Sequence, residues 1–359
     1  MKPRILICGA ATLVGAEMLR QLCQRSDIEK LLVAVPDQQP GKHDLQLLEG
    51  YVGQLPSWIT PVTFDPTQGL GEQSLKEFAG SFDFAFHCQQ RSVRDDRMDS
   101  ARAANVRPAA NWIEILKANP ELHLHYLSTA FVAGTRQGLF TEFDFNCGQG
   151  FNDAWEQTMF EAEALLRASE VSERVTVYRP SHILGQAGSG EAFRFEGAYP
   201  LIATLASSSV LPGDPPARID LVPVDFVSSA MIALAGDDAT GTFHLACGWR
   251  RSISIREAVD LAAKGKGRAC GARLLPRGVA WPARIAGTRS QKSFAAQGGA
   301  FKNARHLLHQ GPVFDTYLAD LALSKYGIEC PSPADWLENA VRVAESRAWA
   351  AGDAASLTQ

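Results

Sequence analysis

The stretch Arg4 to Gly15, reading Arg-Ile-Leu-Ile-Cys-Gly-Ala-Ala-Thr-Leu-Val-Gly, constrains what this chain can fold into more than any other. A short apolar run stops at Gly9, and a helical pattern of Leu13, Val14, Met18, Leu19 and Leu22 starts directly after it. The segment therefore reads as a strand, a tight turn and a helix N-terminus. That geometry aims unpaired backbone N–H groups and the positive end of a helix dipole at one point, a seat suited to phosphate. Gly9 and Gly15 fit a dinucleotide-binding turn, whereas Thr12 stands where a glycine would let the backbone approach a pyrophosphate. A two-glycine turn after a strand also opens α/β folds in general.

Downstream, strand-like runs at Lys30 to Val35, Pro61 to Asp65, Phe82 to Cys88, Leu122 to Thr129 and Arg174 to Pro180 alternate with helical patterns such as Ala101 to Ala118 and Trp155 to Glu170. This alternation predicts an α/β fold, a Rossmann-type doubly wound parallel sheet over residues 1–185. Ligands of such sheets bind beyond the carboxyl ends of the strands. The residues there are Gly9, Asp37, Asp65, Cys88 with Gln89 and Gln90, Ser128 with Thr129, and Pro180 with Ser181 and His182. After Gly185 the alternation breaks. Residues 186–349 read as a smaller, mostly helical substrate or lid region, in which 219–247 return to the core sheet. Helices are expected at Ala198 to Ser207, Ser254 to Lys264, Phe314 to Tyr326 and Pro333 to Trp349, and 350–359 read as a tail.

Composition narrows the partners. A hydrophobic share of 46%, a charged share of 21% and a formal charge of −4 are ordinary for a globular protein and point to neither nucleic acid nor membrane as a bulk partner. The first apolar run is too short for a signal peptide or a membrane span, so the expected location is cytoplasmic. Seven scattered cysteines without a Cys-x-x-Cys pair or a Cys/His cluster argue against structural zinc and disulfides. One charge asymmetry stands out: Arg250 to Arg305 holds thirteen Lys or Arg against Glu257 and Asp260. It reads either as a solvated surface or as a docking face for an acidic partner or phosphates.

Taken together, several segments resemble the extended short-chain dehydrogenase/reductases, and within them the fatty acyl-CoA reductase and terminal thioester reductase branch. They are Gly9 to Gly15, Phe86-His87-Cys88, Asn105-Val106, Leu127-Ser128-Thr129-Ala130-Phe131-Val132-Ala133-Gly134, Tyr178-Arg179-Pro180-Ser181, Leu211-Pro212-Gly213-Asp214, Leu221-Val222-Pro223-Val224-Asp225-Phe226-Val227 and Gly327-Ile328-Glu329-Cys330-Pro331. The resemblance implies an NAD or NADP site built from Gly9, Thr12, Leu13, Gly15, Asp37, Asp65, Cys88, Gln89, Asn105 and Pro180. It implies no metal. The strand ending Val35-Pro36-Asp37 lacks the Arg that pairs with a ribose phosphate; Asp37 either accepts from a ribose diol or sits in a turn. Relatives suggest an acyl carrier protein or CoA thioester as partner, and a homodimer or hetero-oligomer through the helices matching Ala101 to Ala118 and Trp155 to Glu170.

The same resemblance exposes departures. Such reductases carry a Tyr and a Lys four residues apart on one helix; here Trp155 and Met159 stand at those positions. An indole N–H is no usable acid near neutral pH and a thioether carries no charge. Thr129 matches the Ser or Thr that bonds the substrate carbonyl, or it caps a strand end. Gln89-Gln90 replace the small pair beside the nicotinamide. His182 is the remaining acid/base candidate, and Cys147 a weaker nucleophile candidate without an evident His partner. Glu156 and Asp153 complement the helix dipole. Trp155, Met159, Ala162 and Leu166 also form a stripe at helical spacing, which either fills the former pocket or lines an apolar one. The expectation is an atypical member that is not a Tyr/Lys-dependent reductase and instead binds, partners or performs non-redox chemistry on an acyl thioester or carbonyl. The alternative is an NAD(P)H-dependent thioester or carbonyl reductase using Thr129 with solvent or His182.

Overall fold

Seven apolar strands align in parallel: β1 (Arg4–Cys8), β2 (Lys30–Val35), β3 (Ile59–Thr63), β4 (Phe84–His87), β5 (His123–Leu127), β6 (Val175–Pro180) and β7 (Gly241–Leu245). Their order in the sheet is β7-β6-β5-β4-β1-β2-β3. This computed structural model describes residues 2–35, 40–67, 80, 82–90, 97–237, 239–275 and 310–349. Asp37, the basic positions from Arg277 to Arg305 and the tail 350–359 lie outside the described residues.

Successive strand residues face opposite sides of a sheet. Ile5, Ile7, Leu31 and Val33 accordingly enter one core, and Leu6, Cys8, Leu32 and Ala34 the other. On the first face lie helices α1 (Leu13–Leu22) and α2 (Pro40–Val52). Helices α3 (Met98–Ala118) and α4 (Ala154–Ala168) cover the second. Strand order reverses between β1 and β4, so the crevice that such a reversal opens lies at the ends of these two strands, beside the turn at Gly9.

The chain beyond β6 supplies α5 (Tyr199–Ser207), α6 (Val224–Ala235), α7 (Ile255–Gly265), α8 (Tyr317–Ser324) and α9 (Pro333–Ala344). Apolar residues of α5, α6, α7 and α9 join the core under α1 without a break. Two-stranded ladders tie this part down: His182–Leu184 pairs with Leu221–Pro223, Arg218–Ile219 with Ile253–Ser254, and Gly138–Phe140 with Pro312–Phe314. The last pairing moves the start of the helix expected from Phe314 to Tyr317, because Pro312–Phe314 extend to bond the Gly138–Phe140 strand. No helix among the described residues is long and apolar enough to cross a membrane.

The described half of the basic stretch is largely neutralised locally. Arg251 pairs with Asp320 (2.7 Å), Arg256 with Asp260 (2.6 Å), Lys264 with Glu338 (2.8 Å) and Lys266 with Glu345 (2.5 Å). Arg268 donates to the Ala206 and Ser208 carbonyls. Charge patterning alone did not reveal these partners, since three of the four acids lie more than sixty residues away in sequence or in the next helix.

Candidate functional site

The opening turn is built as its sequence suggests. Gly9 adopts a φ of 82°, and a Cβ there would sit 2.7 Å from the Gln89 backbone nitrogen; a Cβ on Gly15 would overlap the Gly9 carbonyl. Both glycines are therefore required for α1 to pack against β1 and the end of β4. Thr12 is the N-cap of α1. Its hydroxyl donates to the Gly9 carbonyl (2.8 Å) and accepts from the Gly15 N–H (3.2 Å), with the Cys88 carbonyl at 3.2 Å. Gly9, Thr12, Leu13, Gly15, Cys88 and Gln89 thus meet at one point. The Leu13 N–H is engaged too, by the Glu196 carboxylate at 3.2 Å. Two of the donors at this helix start, on Leu13 and Gly15, thus already have partners within the chain.

Other residues expected at this site lie elsewhere or hold other bonds. Gln90 spans from the end of β4 to that of β5, where its amide donates to the Leu127 and Ser128 carbonyls (3.0 and 2.7 Å). The Asp65 carboxylate closes its own turn, accepting from the Thr67 N–H and hydroxyl (2.8 and 2.7 Å). Asn105 is buried between α3 and α4 and donates to the Thr158 hydroxyl (3.0 Å).

At the ends of β5 and β6, Thr129 is buried and caps the short Ala130–Ala133 turn by accepting from the Phe131 N–H (3.2 Å). Its hydroxyl donates to the Pro180 carbonyl at 3.5 Å. Behind it, Ser128 donates to Glu163 (2.8 Å), which is fully buried and receives Arg179 (2.6 Å) and Arg167 (2.8 Å). Burial would raise the Glu163 carboxyl, but the two guanidinium groups outweigh it and hold the group below the usual carboxylate range.

Helix α4 is capped by the Asp153 carboxylate, which accepts from the Glu156 N–H (2.8 Å), while the Glu156 carboxylate reaches back past the cap to accept from the Asn152 N–H (2.8 Å). One turn further, Met159, Ala162 and Leu166 are buried in the core with Trp112 and Tyr126. Trp155, half-buried, faces Phe131 with ring centroids 6.4 Å apart. Cys147 is exposed beyond Asp144 (3.8 Å).

A cleft of about 240 Å³ opens beside these elements. Its walls include Phe131, Glu156, His182, Arg218, Asp220 and Phe314. The His182 ring lies 4.3 Å from that of Phe131, and Phe314 meets Phe131 edge-on at 5.8 Å. Asp220 accepts from the Ser181 hydroxyl (2.6 Å) and the Cys247 and Gly248 N–H groups (2.8 and 2.9 Å). Burial nonetheless raises its carboxyl above the ordinary value. Arg218 is held by Ser252 (2.9 Å) with its guanidinium 5.6 Å from the Trp249 ring centre. Sequence reasoning reached His182 but missed Arg218 and Asp220. The available signal was the position of Asp220 directly before the Leu221-Val222-Pro223 run, at a loop end facing the same mouth. Among the described residues no group of three or more His, Cys, Asp or Glu side chains is arranged to hold a metal ion.

The family described as Male sterility protein, an NAD-binding family, matches residues 7–231. The chain belongs to that family. The resemblance to the extended reductases and their thioester reductase branch is borne out. A non-canonical nonribosomal peptide synthetase, hkm10 of Aspergillus hancockii, is 26% identical over 267 residues, 67% of this chain and 26% of that protein. The aldehyde reductase lnaA of Aspergillus flavus is 24% identical over 259 residues, 66% of this chain and 25% of that protein. The chain thus spans about a quarter of the length of these relatives. Among solved structures, the terminal R domain from the myxalamid PKS-NRPS biosynthetic pathway shares the fold with a TM-score of 0.80 at 24% identity, over 97% of this chain and 92% of that one.

Proposed function

We propose that this chain binds an acyl thioester, or a related carbonyl compound, in the cleft beside His182, without the Tyr/Lys-assisted hydride transfer of the extended reductases. The observation that carries the reading is Met159. At the helical position where relatives need an ammonium, a thioether is 1% exposed and packed into the core, and the preceding turn offers the Trp155 indole. Neither side chain can deliver a proton. The Thr129 hydroxyl is bonded to the strand-end carbonyl of Pro180.

The cleft supplies what an acyl ligand needs instead. Phe131 and Phe314 offer an apolar wall, Arg218 a cation, and His182 a titratable ring. The relatives named as a peptide synthetase and an aldehyde reductase support a thioester or aldehyde carbonyl as the ligand class, presented on CoA or on a carrier protein. Calorimetric titration of the purified protein with a medium-chain acyl-CoA tests this. Saturable binding weakened about tenfold by Phe131→Ala is expected, with no oxidation of NADPH or NADH when either is added. Turnover of either nicotinamide with acyl-CoA or aldehyde, abolished by Thr129→Val, would refute it.

A second reading is favoured by the placement of the His182 ring on the cleft wall: reduction with His182 as the proton source. Its signature is nicotinamide oxidation that survives Thr129→Val but is lost in His182→Ala.

A further inference from the structure

The first N–H groups of a helix have no partner within it, and after a glycine turn they are the donors that dinucleotide folds direct at a pyrophosphate. In α1 the first of these, on Leu13, bonds the Glu196 carboxylate, and the third, on Gly15, bonds Thr12. Glu196 arrives from a segment 183 residues further along the chain. That segment is fastened on several sides. The Gln186 amide donates to Glu17 (2.8 Å), a buried carboxylate of α1, and the Phe193 ring stands edge-on to Tyr51 of α2 at 5.5 Å. From α9, Asn339 donates to the Gly188 carbonyl (2.9 Å), and Arg347 just beyond it pairs with Glu191 (2.5 Å). Residues 186–197 therefore form a strap from α9 to the N-terminus of α1, with a carboxylate at its end.

We propose that this strap is a built-in plug of the dinucleotide seat, in which the Glu196 carboxylate stands where a cofactor's pyrophosphate would bond α1. A carboxylate and a phosphate cannot share one N–H donor, and each repels the other across a few ångströms. Binding of a dinucleotide then requires Glu196 to withdraw. Because Glu196 is exposed, its hold is modest, and the plug tunes affinity rather than abolishing it. The plug places this chain's own residues in competition with the group that its family binds. It goes beyond the cleft assignment and does not depend on what the cleft accepts.

The test uses ADP-ribose, which carries the pyrophosphate without the nicotinamide, titrated by calorimetry into the full chain and into Glu196→Ala and Glu196→Gln. Removing the carboxylate is expected to tighten ADP-ribose about fivefold, and removing only its charge about threefold, in line with an exposed helix N-terminal charge contact. Hydrogen exchange supplies a second readout: in the parent protein, ADP-ribose should increase exchange over residues 186–197 as the strap lifts. Equal or weaker binding by Glu196→Ala would overturn the proposal. So would protection of 186–197 by the ligand, which would make Glu196 a holder of cofactor. Absence of binding to all three proteins overturns it as well, since the plug would then guard no seat. Acyl-CoA binding by Glu196→Ala is expected to match the parent, so failure of the cleft assignment would show separately.

Discussion

Installing a Tyr and a Lys four residues apart on α4 by Trp155→Tyr and Met159→Lys should damage the protein rather than yield a reductase. The Met159 thioether is 1% exposed and belongs to the core that holds Trp112, Tyr126, Val132 and Leu166. Replacing it by Lys forfeits on the order of 2 kcal/mol of apolar burial. The amine must then lose its proton, which from an ordinary lysine value costs about 4–5 kcal/mol at pH 7, or remain charged at a comparable desolvation cost. Glu163, one turn on, cannot relieve it, because both its oxygens are taken by Arg179, Arg167 and Ser128. The two costs together come to roughly 6 kcal/mol, which at about 2 cal/mol/K per residue lowers the melting temperature by about 8 °C for a chain of this size. Differential scanning fluorimetry reads this directly, with Met159→Leu as the volume-conserving control expected within about 1.5 kcal/mol of the parent. A double variant that melts with the parent and oxidises NADPH in the presence of acyl-CoA would refute the reasoning. It would mean that the seat for the ammonium is open and that the cofactor path past Gln90 is clear.

Three further outcomes are expected. Stability should fall steeply on acidification: burial holds His87 down at about 4 and, with Arg179 beside it, His244 at about 3. A lowered histidine contributes stability that is present above its unfolded value near 6.5 and lost as pH drops through its folded value, on the order of 3 kcal/mol for His87. Glu142, pushed up to about 7 by burial, acts in the opposite sense, its contribution being full below the ordinary glutamate value and lost as pH rises through 7. Denaturant midpoints should therefore fall progressively from about pH 6.5 to 3.5, most steeply below about 4.5 where Glu142 no longer offsets the loss, and a flat profile would contradict it. Glu163→Gln should cost about 3–5 kcal/mol in urea unfolding, because it leaves the wholly buried Arg179 without its carboxylate, and Glu163→Gln with Arg179→Met should recover part of that. Gln90→Ala should destabilise by about 1 kcal/mol, since it strips the Leu127 and Ser128 carbonyls of their bridging donor, again read by urea unfolding.

The sheet was legible because burial on both faces writes itself as short continuous apolar runs, and each of the strands β1 to β7 lies within or beside an expected run. The turn at Gly9 was legible because only glycine tolerates its φ and its closeness to Gln89. The Met159, Ala162 and Leu166 stripe declared its core face through helical spacing. What stayed hidden depends on contacts between distant segments. Glu196 sits in a loop without period, and nothing local marks it as the partner of Leu13. Arg218 and Asp220 reach the cleft only because Arg218–Ile219 pairs with Ile253–Ser254 while Leu221–Pro223 pairs with His182–Leu184. Hydrophobic pattern carries no trace of such two-residue and three-residue ladders. The tie that the Asn105 amide makes from α3 to α4 through Thr158 left no mark in the sequence either.

The departures share a physical direction. Around the opening turn and α4 this chain occupies its own groups: Thr12 bonds the Gly15 N–H, Glu196 the Leu13 N–H, Gln90 bridges the ends of β4 and β5, and Met159 lies in the core. Buried or strand-end polar groups left without a ligand need such replacements, because an unmet donor or acceptor costs about 1–3 kcal/mol. Internal partners of this kind hold the turn in shape whether or not a ligand is bound. The cleft beside His182 has taken the other course. Arg218 and Asp220 are anchored from behind, by Ser252 and by Ser181 with two backbone N–H groups, while both still line open space. Positioning charged groups from behind while leaving their front to a ligand is what a binding site requires and what a filled core does not. The contrast between a self-satisfied turn and an open, buttressed cleft is the strongest reason to look for this chain's ligand at the cleft.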